Sequence, residues 1–140
     1  MKISVITAVY NSEATFGEAI ASVAAQTYPD VEHLVVEGKS KDGSLTAIER
    51  AGHDQMRLIS EPDEGIYDAL NKGVRNATGD VVGFIHSDDF LAHDDVLARI
   101  ASAFEDPWLR PYSAIWSMSH NLTRRGLFGT GRPVRFIRGV

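Results

Sequence analysis

Four short apolar runs, each followed by a segment with helical spacing, constrain the fold of this chain more than any other feature. The runs are rich in β-branched residues, as buried strands are, and they span residues 3–9, 31–37, 56–60 and 81–85. The spacing of apolar residues between and after them predicts helices over 13–26, about 44–52, 66–77 and 93–105. This alternation predicts an α/β fold: a mostly parallel sheet with right-handed crossovers and helices on both faces.

Two of the predicted helices carry recognisable start signals. Ser12 is a predicted N-cap residue with Glu13 in the first turn, and the stretch His93-Asp94-Asp95 opens the last helix. We therefore interpret Asp94 and Asp95 as first-turn helix residues.

The pair Asp88-Asp89 directly follows the last apolar run. Open α/β sheets bind ligands beyond the carboxyl ends of their strands, which is where this pair is expected. Two carboxylates there offer hard oxygen ligands to Mn²⁺ or Mg²⁺, the ions that accompany phosphates. The alternative is that the pair only caps a helix or closes a turn.

The other strand ends are also polar. They hold residues 7–11, 37–42 and 61–65, which combine carboxylates, lysines and the starts of helices. Since helix N-termini attract phosphate, this edge suits a nucleoside diphosphate. The glycine fingerprints of dinucleotide-binding Rossmann domains and of P-loop NTPases are absent from the sequence, which argues against both classes.

Length and composition are those of one globular domain. The chain has 140 residues and no cysteine, which excludes disulfides and thiolate chemistry. The apolar run near the start is too short to span a membrane and lacks a signal-peptide pattern, so we expect a cytoplasmic protein.

The charge distribution divides the chain near residue 106. All 19 acidic residues lie in 1–106, whereas 107–140 hold six arginines and no acidic residue or lysine. Such an arm could bind an anionic membrane or nucleic acid; we expect no nucleic-acid partner and allow peripheral membrane contact. Our hypothesis is that this tail is disordered or results from a frameshift or truncation after Asp106.

Ordered motifs in residues 3–106 resemble family 2 glycosyltransferases of the GT-A fold. They are Val5-Ile6-Thr7-Ala8-Val9-Tyr10-Asn11 with 22–28, Val35 to Ser44, Glu61 to Gly73, and Ala77 to Asp80 with His86-Ser87-Asp88-Asp89. Residues 1–106 would then be the nucleotide-sugar-binding half, and 107–140 take no part in the resemblance.

The resemblance implies transfer of a sugar, with inversion, from a nucleoside diphosphate sugar to a sugar or lipid-linked acceptor in cell-surface polysaccharide synthesis. We expect a uridine nucleotide. The resemblance places Thr7, Val9 and Asn11 along the nucleoside, and Glu37 where the family has an Asp that contacts the base. It places Asp68 and Lys72 in the helix beside the nucleotide, His86 and Ser87 at the same site, and Asp88 as the metal ligand, with Asp89 next to it.

Three residues depart from the family pattern. Glu37 replaces Asp, which loosens the expected base contact. Lys39 replaces Gly, and we expect it to face solvent rather than phosphate. His86 replaces an acidic motif residue, and we expect it to bond backbone or ribose rather than metal. The other histidines, His33, His53, His93 and His120, show no metal-ligand spacing and are interpreted as surface or cap residues.

The general base that inversion requires is not identified. No acidic residue follows Asp106, so a second hypothesis is a nucleotide-binding remnant without turnover. A third, a sugar-phosphate nucleotidyltransferase, ranks low. It would need a glycine-rich basic loop after the first strand, where the chain has Tyr10-Asn11-Ser12-Glu13.

Overall fold

The computed structural model describes residues 1–105 and the backbone of two short strands beyond them. In chain order the elements are β1 (Ile3–Val9), α1 (Phe16–Ala24), β2 (Val31–Glu37), α2 (Ser44–Ala51), β3 (Met56–Ser60), α3 (Ile66–Asn76), β4 (Val81–Phe84), α4 (Val96–Phe104), β5 (Ala114–Ser117) and β6 (Arg135–Phe136). The described strands pair in parallel in the order β3-β2-β1-β4-β5-β6. The predicted α/β fold with a parallel sheet is confirmed.

The two central strands are buried along their whole length. Every residue of β1 and β2 is inaccessible or nearly so, because helices cover both faces of the sheet. On one face, Ile3 and Val5 of β1 pack against Val23 of α1 and Leu97 of α4. Ile48 of α2 joins this face further along the strands.

Helix α3 covers the opposite face. Ile6 of β1 and Leu34 of β2 pack there against Leu70 of α3. The helix lies very close to the sheet at Gly73, where an added Cβ would lie only 2.5 Å from Cγ2 of Ile6. A side chain at this position would therefore push α3 away from β1.

Helix α1 begins three residues later than the sequence predicts. Glu13 to Thr15 form a turn instead, in which the Ser12 carbonyl accepts hydrogen bonds from the amides of Thr15 at 3.0 Å and Phe16 at 3.2 Å. The Ser12 hydroxyl donates to the Tyr10 carbonyl rather than capping the helix. Contacts of Glu13 with the loop after β2 explain the difference: its amide donates to Asp42 and its side chain accepts from the Gly43 amide.

Helix α4 also begins later, at Val96 rather than at His93. The carbonyls of His93 and Asp94 accept hydrogen bonds from the side chain of Gln26 and from Thr27 at the end of α1. These bonds hold the two residues in the bend and turn that precede the helix. Asp95 occupies the N-cap position and pairs with Arg99 at 2.7 Å.

The strands β5 and β6 lie in the basic tail, where the sequence analysis predicts no regular element. The rest of that tail, with the hypotheses of disorder and frameshift, lies outside the described residues. In the described part of the chain, no helix has the length and apolar character needed to cross a membrane.

Candidate functional site

The strand order reverses direction between β1 and β4. From β1 the chain moves outward to β2 and β3, and it then crosses the other face to place β4 on the opposite side of β1. In open parallel sheets such a reversal opens a crevice beyond the carboxyl ends of the two strands, where ligands bind. The loops after β1 and β4 border this crevice.

Side-chain hydrogen bonds join the loop after β1 to the loop after β2. Asn11 adopts the left-handed backbone conformation, with φ of 47°, which Asn tolerates better than most residues. Its amide donates to the Ser40 hydroxyl at 3.0 Å, and its side-chain oxygen accepts from the Lys41 amide at 2.8 Å. Asp42 accepts hydrogen bonds from the amides of Glu13 and Ser44. A hydrogen bond with the Ser44 side chain, together with these backbone bonds, holds the pKa of Asp42 below its usual range. The two loops therefore form one connected rim.

Glu37 anchors the second loop from below. The residue is completely buried, and its carboxylate accepts hydrogen bonds from the Ser40 amide and, at 2.6 Å, from the Ser60 hydroxyl. Burial alone would raise the pKa of Glu37, but these hydrogen bonds outweigh it, and the pKa lies below its usual value. Glu37 is thus an ionised group that is directed into the protein and positions the loops after β2 and β3.

The loop after β4 meets the loop after β1 through two serines. The hydroxyl of Ser87 donates to that of Ser12 at 3.2 Å, and the Asp89 amide donates to the His86 carbonyl at 3.1 Å. Ser87, His86 and Asp89 are half-buried, whereas Asp88 is exposed. Asp88 and Asp89 are therefore placed at the crevice, next to the Asn11 loop.

The carboxylates of Asp88 and Asp89 lack hydrogen-bond donors in the part of the chain that the structure describes. Within residues 1–105, no side chain or amide donates a hydrogen bond to either of them. The same residues contain no group of three His, Asp or Glu arranged to hold a metal ion. Two adjacent carboxylates fit Mn²⁺ or Mg²⁺ in the way such ions commonly bind with nucleotides, through one or two carboxylates together with phosphate oxygens and water.

The loop after β3 is fastened to α3 by Lys72 and Asp68. Lys72 donates to the Pro62 carbonyl and pairs with Glu61 at 3.5 Å and with Asp68 at 3.0 Å. Asp68 also accepts from the Glu64 amide at 3.2 Å. The hydrogen bond between the two side chains raises the pKa of Lys72 and lowers that of Asp68. Both predicted site residues therefore lie beside this loop and contact protein groups.

Thr7 and Val9 are placed differently, because their side chains face the interior. Thr7 is completely buried and its hydroxyl lies 3.0 Å from Nε2 of His33. Val9 belongs to the apolar cluster around Phe16 and Ile20. Since both side chains are buried, only the backbone at these two positions can face a ligand at the strand ends.

The interpretation of His33 as a surface or cap residue is wrong. His33 lies within β2, is completely buried, and its Nδ1 is 3.2 Å from Nε2 of His53. Burial, with a smaller effect of His53, lowers the pKa of His33 to about 3, so the ring is neutral at physiological pH. His53 is half-buried, His93 is exposed, and His120 lies outside the described residues.

The sequence analysis assigned no role to the aromatic and apolar side chains at the carboxyl edge of the sheet. Tyr10, Tyr67 and Phe90 are each 54% exposed and Ile66 is 48% exposed. All four follow the ends of strands β1, β3 and β4. Exposure of large side chains at one edge is a signal of binding that becomes visible only once the strand ends are known to converge.

The comparisons with known proteins all identify glycosyltransferases. The family model for glycosyl transferase family 2 matches residues 4–112. A glycosyltransferase of Mycobacterium tuberculosis is 35% identical over 115 residues, which cover 81% of this chain and 43% of that protein. The chain therefore spans less than half the length of this relative.

Two solved structures share the fold at sequence identities near 30%. S. aureus TarS 1–349 in complex with UDP-GlcNAc has a TM-score of 0.70 and 29% identity, covering 76% of this chain and 32% of TarS. A mannosyltransferase from Pyrobaculum calidifontis in complex with GDP-Man and Mn²⁺ also has a TM-score of 0.70, with 30% identity, covering 76% of this chain and 33% of that one.

Proposed function

The chain belongs to glycosyl transferase family 2, and we propose that it binds a nucleoside diphosphate sugar at the carboxyl edge of the sheet and transfers the sugar to an acceptor. One structural observation gives this proposal its main support. A hydrogen bond between Ser12 and Ser87 joins the loops after β1 and β4 at the strand reversal, and the neighbouring carboxylates of Asp88 and Asp89 have no hydrogen-bond partner among residues 1–105. The match to the family and the nucleotide-sugar complexes of TarS and the mannosyltransferase support it.

The diphosphate and its metal ion belong, in this proposal, at the β1–β4 crevice. Asp88 is the direct ligand of Mn²⁺ or Mg²⁺, and Asp89 stands beside it. A bound divalent ion neutralises the charge that develops on the diphosphate as its bond to the sugar breaks. Ser87 and His86 hold the loop that presents Asp88, and Asn11 holds the rim across the crevice.

The nucleoside lies toward β2 and β3 in the same proposal. Glu37, Asp68 and Lys72 act there by fixing the loops, because each is already engaged with protein groups. Thr7 and Val9 contribute through backbone at the end of β1. We propose a uridine diphosphate sugar as donor, with inversion at the anomeric carbon, for use in cell-surface polysaccharide synthesis.

Inversion needs a base for the acceptor hydroxyl. Asp94 and Asp95 do not serve in this proposal, because they belong to the approach and N-cap of α4. The second candidate is a nucleotide-binding protein without turnover. Release of uridine diphosphate from the donor in the presence of acceptor oligosaccharides or lipids, but not in their absence, separates turnover from binding alone.

A cytoplasmic location with peripheral membrane contact is part of the proposal. The six arginines of residues 107–140 support contact with anionic lipid. Sedimentation with vesicles of phosphatidylserine, compared with neutral vesicles, tests this contact.

Calorimetric titration with UDP tests the metal-binding role of Asp88. In the presence of Mn²⁺, Asp88→Asn is expected to weaken UDP binding at least about tenfold, because the variant loses a charged ligand. The affinity of Asp88→Asn for UDP should also no longer depend on Mn²⁺. Asp54→Asn is the matched control, since Asp54 is an exposed aspartate before β3, at the opposite edge. Equal affinity of the wild type and Asp88→Asn would remove Asp88 from the site.

A further inference from the structure

The family position of Glu37 raises the question of which carboxylate faces the nucleotide base. Glu37 has no exposed surface, and its oxygens accept hydrogen bonds from Ser40 and Ser60. A base could reach this carboxylate only if both loops opened. A carboxylate that faces the base in this structure therefore comes from a different residue, on the ligand side of the loop.

Asp63 supplies a carboxylate at that place from a different loop. Its side chain lies over Gly38, the residue after Glu37. A Cβ added to Gly38 would overlap Oδ2 of Asp63 and would lie 3.0 Å from its Cγ and 3.3 Å from Cδ2 of Tyr10. The missing side chain at residue 38 thus leaves room for the Asp63 carboxylate beside the Tyr10 ring.

The two oxygens of Asp63 have different surroundings. Oδ1 accepts a hydrogen bond from the Gly65 amide at 2.9 Å, which fixes the turn before α3. Oδ2 points toward Gly38 and receives no hydrogen bond from the residues described. Lys72 holds the preceding residues of this loop through the Pro62 carbonyl and Glu61, so the carboxylate is presented on a braced segment.

We propose that Oδ2 of Asp63 accepts a hydrogen bond from N3–H of the donor's uracil ring, with the ring lying along the exposed face of Tyr10. The inference rests on the proposed function and names the residue that selects the base. An ionised carboxylate only accepts hydrogen bonds, and the N3–H of uracil is a donor. Aromatic side chains offer the stacking surface that nucleobases use.

The placement agrees with the order of strands along the edge. Asp63 and Gly38 follow β3 and β2, whereas Asp88 follows β4 on the far side of β1. Three strand spacings separate β3 from β4, about 14 Å at the spacing of parallel strands. A nucleotide would therefore lie across the strand ends, with its base at Asp63 and its diphosphate at Asp88.

The test compares UDP with N3-methyl-UDP, which lacks the proposed donor hydrogen, in calorimetric titrations with Mn²⁺. The wild-type chain is expected to bind UDP at least about tenfold more tightly than N3-methyl-UDP, because the methylated ring cannot donate the hydrogen bond to the charged carboxylate. Asp63→Asn keeps an oxygen for the Gly65 amide but replaces the charged acceptor, so UDP binding should weaken and the preference disappear. Gly38→Ala should have the same effect, because it displaces the carboxylate without removing it.

Glu64→Gln is the control, since Glu64 is the exposed neighbour in the same loop and only its amide is bonded. It should retain the preference, and all variants should keep the thermal unfolding temperature of the wild type. Retention of the preference in Asp63→Asn would overturn the inference, and retention in Gly38→Ala would overturn the placement over Gly38. Equal wild-type affinity for both ligands would overturn the inference while leaving the proposed function standing. Failure of the wild type to bind UDP at all would instead defeat the proposed function, and the inference with it.

Discussion

At the amino end of β2, the carboxylate of Glu32 accepts hydrogen bonds from the Ser4 hydroxyl and from the amide and hydroxyl of Thr78. The cations of Lys2 and Arg57 lie 4.0 and 3.8 Å away. Burial alone would raise the pKa of Glu32, but the hydrogen bonds and Lys2 keep it below the usual value. This carboxylate is buried, ionised and fully occupied by the protein.

At the carboxyl end of β2, one acid is likewise buried and hydrogen-bonded, whereas other acids near this end are not. Glu37 is also buried and occupied. Further out, however, lie Asp88, Asp89 and Oδ2 of Asp63, which receive no hydrogen bond from residues 1–105. The comparison teaches that this sheet uses a buried acid at each end of β2 to fix its loops, and that the acids beyond the carboxyl ends of β3 and β4 keep carboxylate oxygens without a hydrogen-bond partner among residues 1–105.

The largest expected effect concerns the amino edge. Glu32→Ala should lower the free energy of unfolding by about 3 kcal/mol, because it leaves the buried Ser4 hydroxyl and Thr78 amide without their acceptor. Urea titration followed by circular dichroism measures the change. Affinity for UDP in Mn²⁺ should stay the same in the folded variant, since this edge is remote from the crevice.

Glu49→Ala is the control for this prediction, because Glu49 is an exposed glutamate on α2. It should change the free energy of unfolding by no more than about 0.5 kcal/mol. If Glu32→Ala behaved like Glu49→Ala, the occupied carboxylate at the amino edge would contribute nothing, and the contrast between the two edges would fail.

A smaller effect is expected from His33, which lies between these two acids in β2. Its pKa is about 3 in the folded protein and 6.5 in the unfolded chain. As the pH falls below 6.5, the unfolded chain therefore binds a proton that the folded protein does not, and stability is lost down to about pH 3. The loss is up to about 1.4 kcal/mol per pH unit, or about 2 kcal/mol at pH 5.

Urea titrations between pH 7 and 5 measure this dependence. His33→Gln should flatten it, whatever its effect at pH 7, whereas His93→Gln, which changes an exposed histidine, should not. The acids contribute at lower pH: with depressed pKa values, Glu32 and Glu37 stabilise the fold above about pH 4.5, and this is lost as the pH falls through their folded values. An unchanged slope in His33→Gln would contradict the buried, neutral ring.

The smallest effect is expected from Lys39 at the carboxyl edge. Its backbone is left-handed, with φ of 58°, and its exposed side chain donates to the Ser60 hydroxyl at 3.1 Å. In Lys39→Gly, relief of backbone strain and the added freedom of glycine nearly cancel, so stability should change by less than about 1 kcal/mol. UDP affinity should change by no more than about twofold. A tenfold loss in calorimetry would mean that Lys39 binds phosphate.

Much of the fold follows from local sequence. The bounds predicted for the first three strands agree with β1, β2 and β3, because apolar runs between polar stretches mark the ends of buried strands. Helix starts are predicted less well. Helices α1 and α4 begin three residues late because Glu13 and His93 bond to distant loops, which no local pattern encodes.

The site follows from the sequence only in outline. Convergence of the strand ends predicts where Asp88 and Asn11 lie, and the strand reversal between β1 and β4 places them at one crevice. The sequence does not reveal which acids are occupied: Glu37 is satisfied by Ser60, 23 residues away. Likewise the burial of His33 depends on its neighbours across the sheet, which is why the surface interpretation failed.

Broadening of amide NMR signals by Mn²⁺ in the presence of UDP tests the central claim most directly. Paramagnetic broadening falls steeply with distance from the ion, and the two edges are about 20 Å apart along seven residues of β1. The signals of residues 86–90 and 11–13 should broaden first, those of Glu32 and Thr78 should stay sharp, and Asp88→Asn should abolish the effect. Broadening centred on the amino edge, or unchanged in Asp88→Asn, would contradict the account.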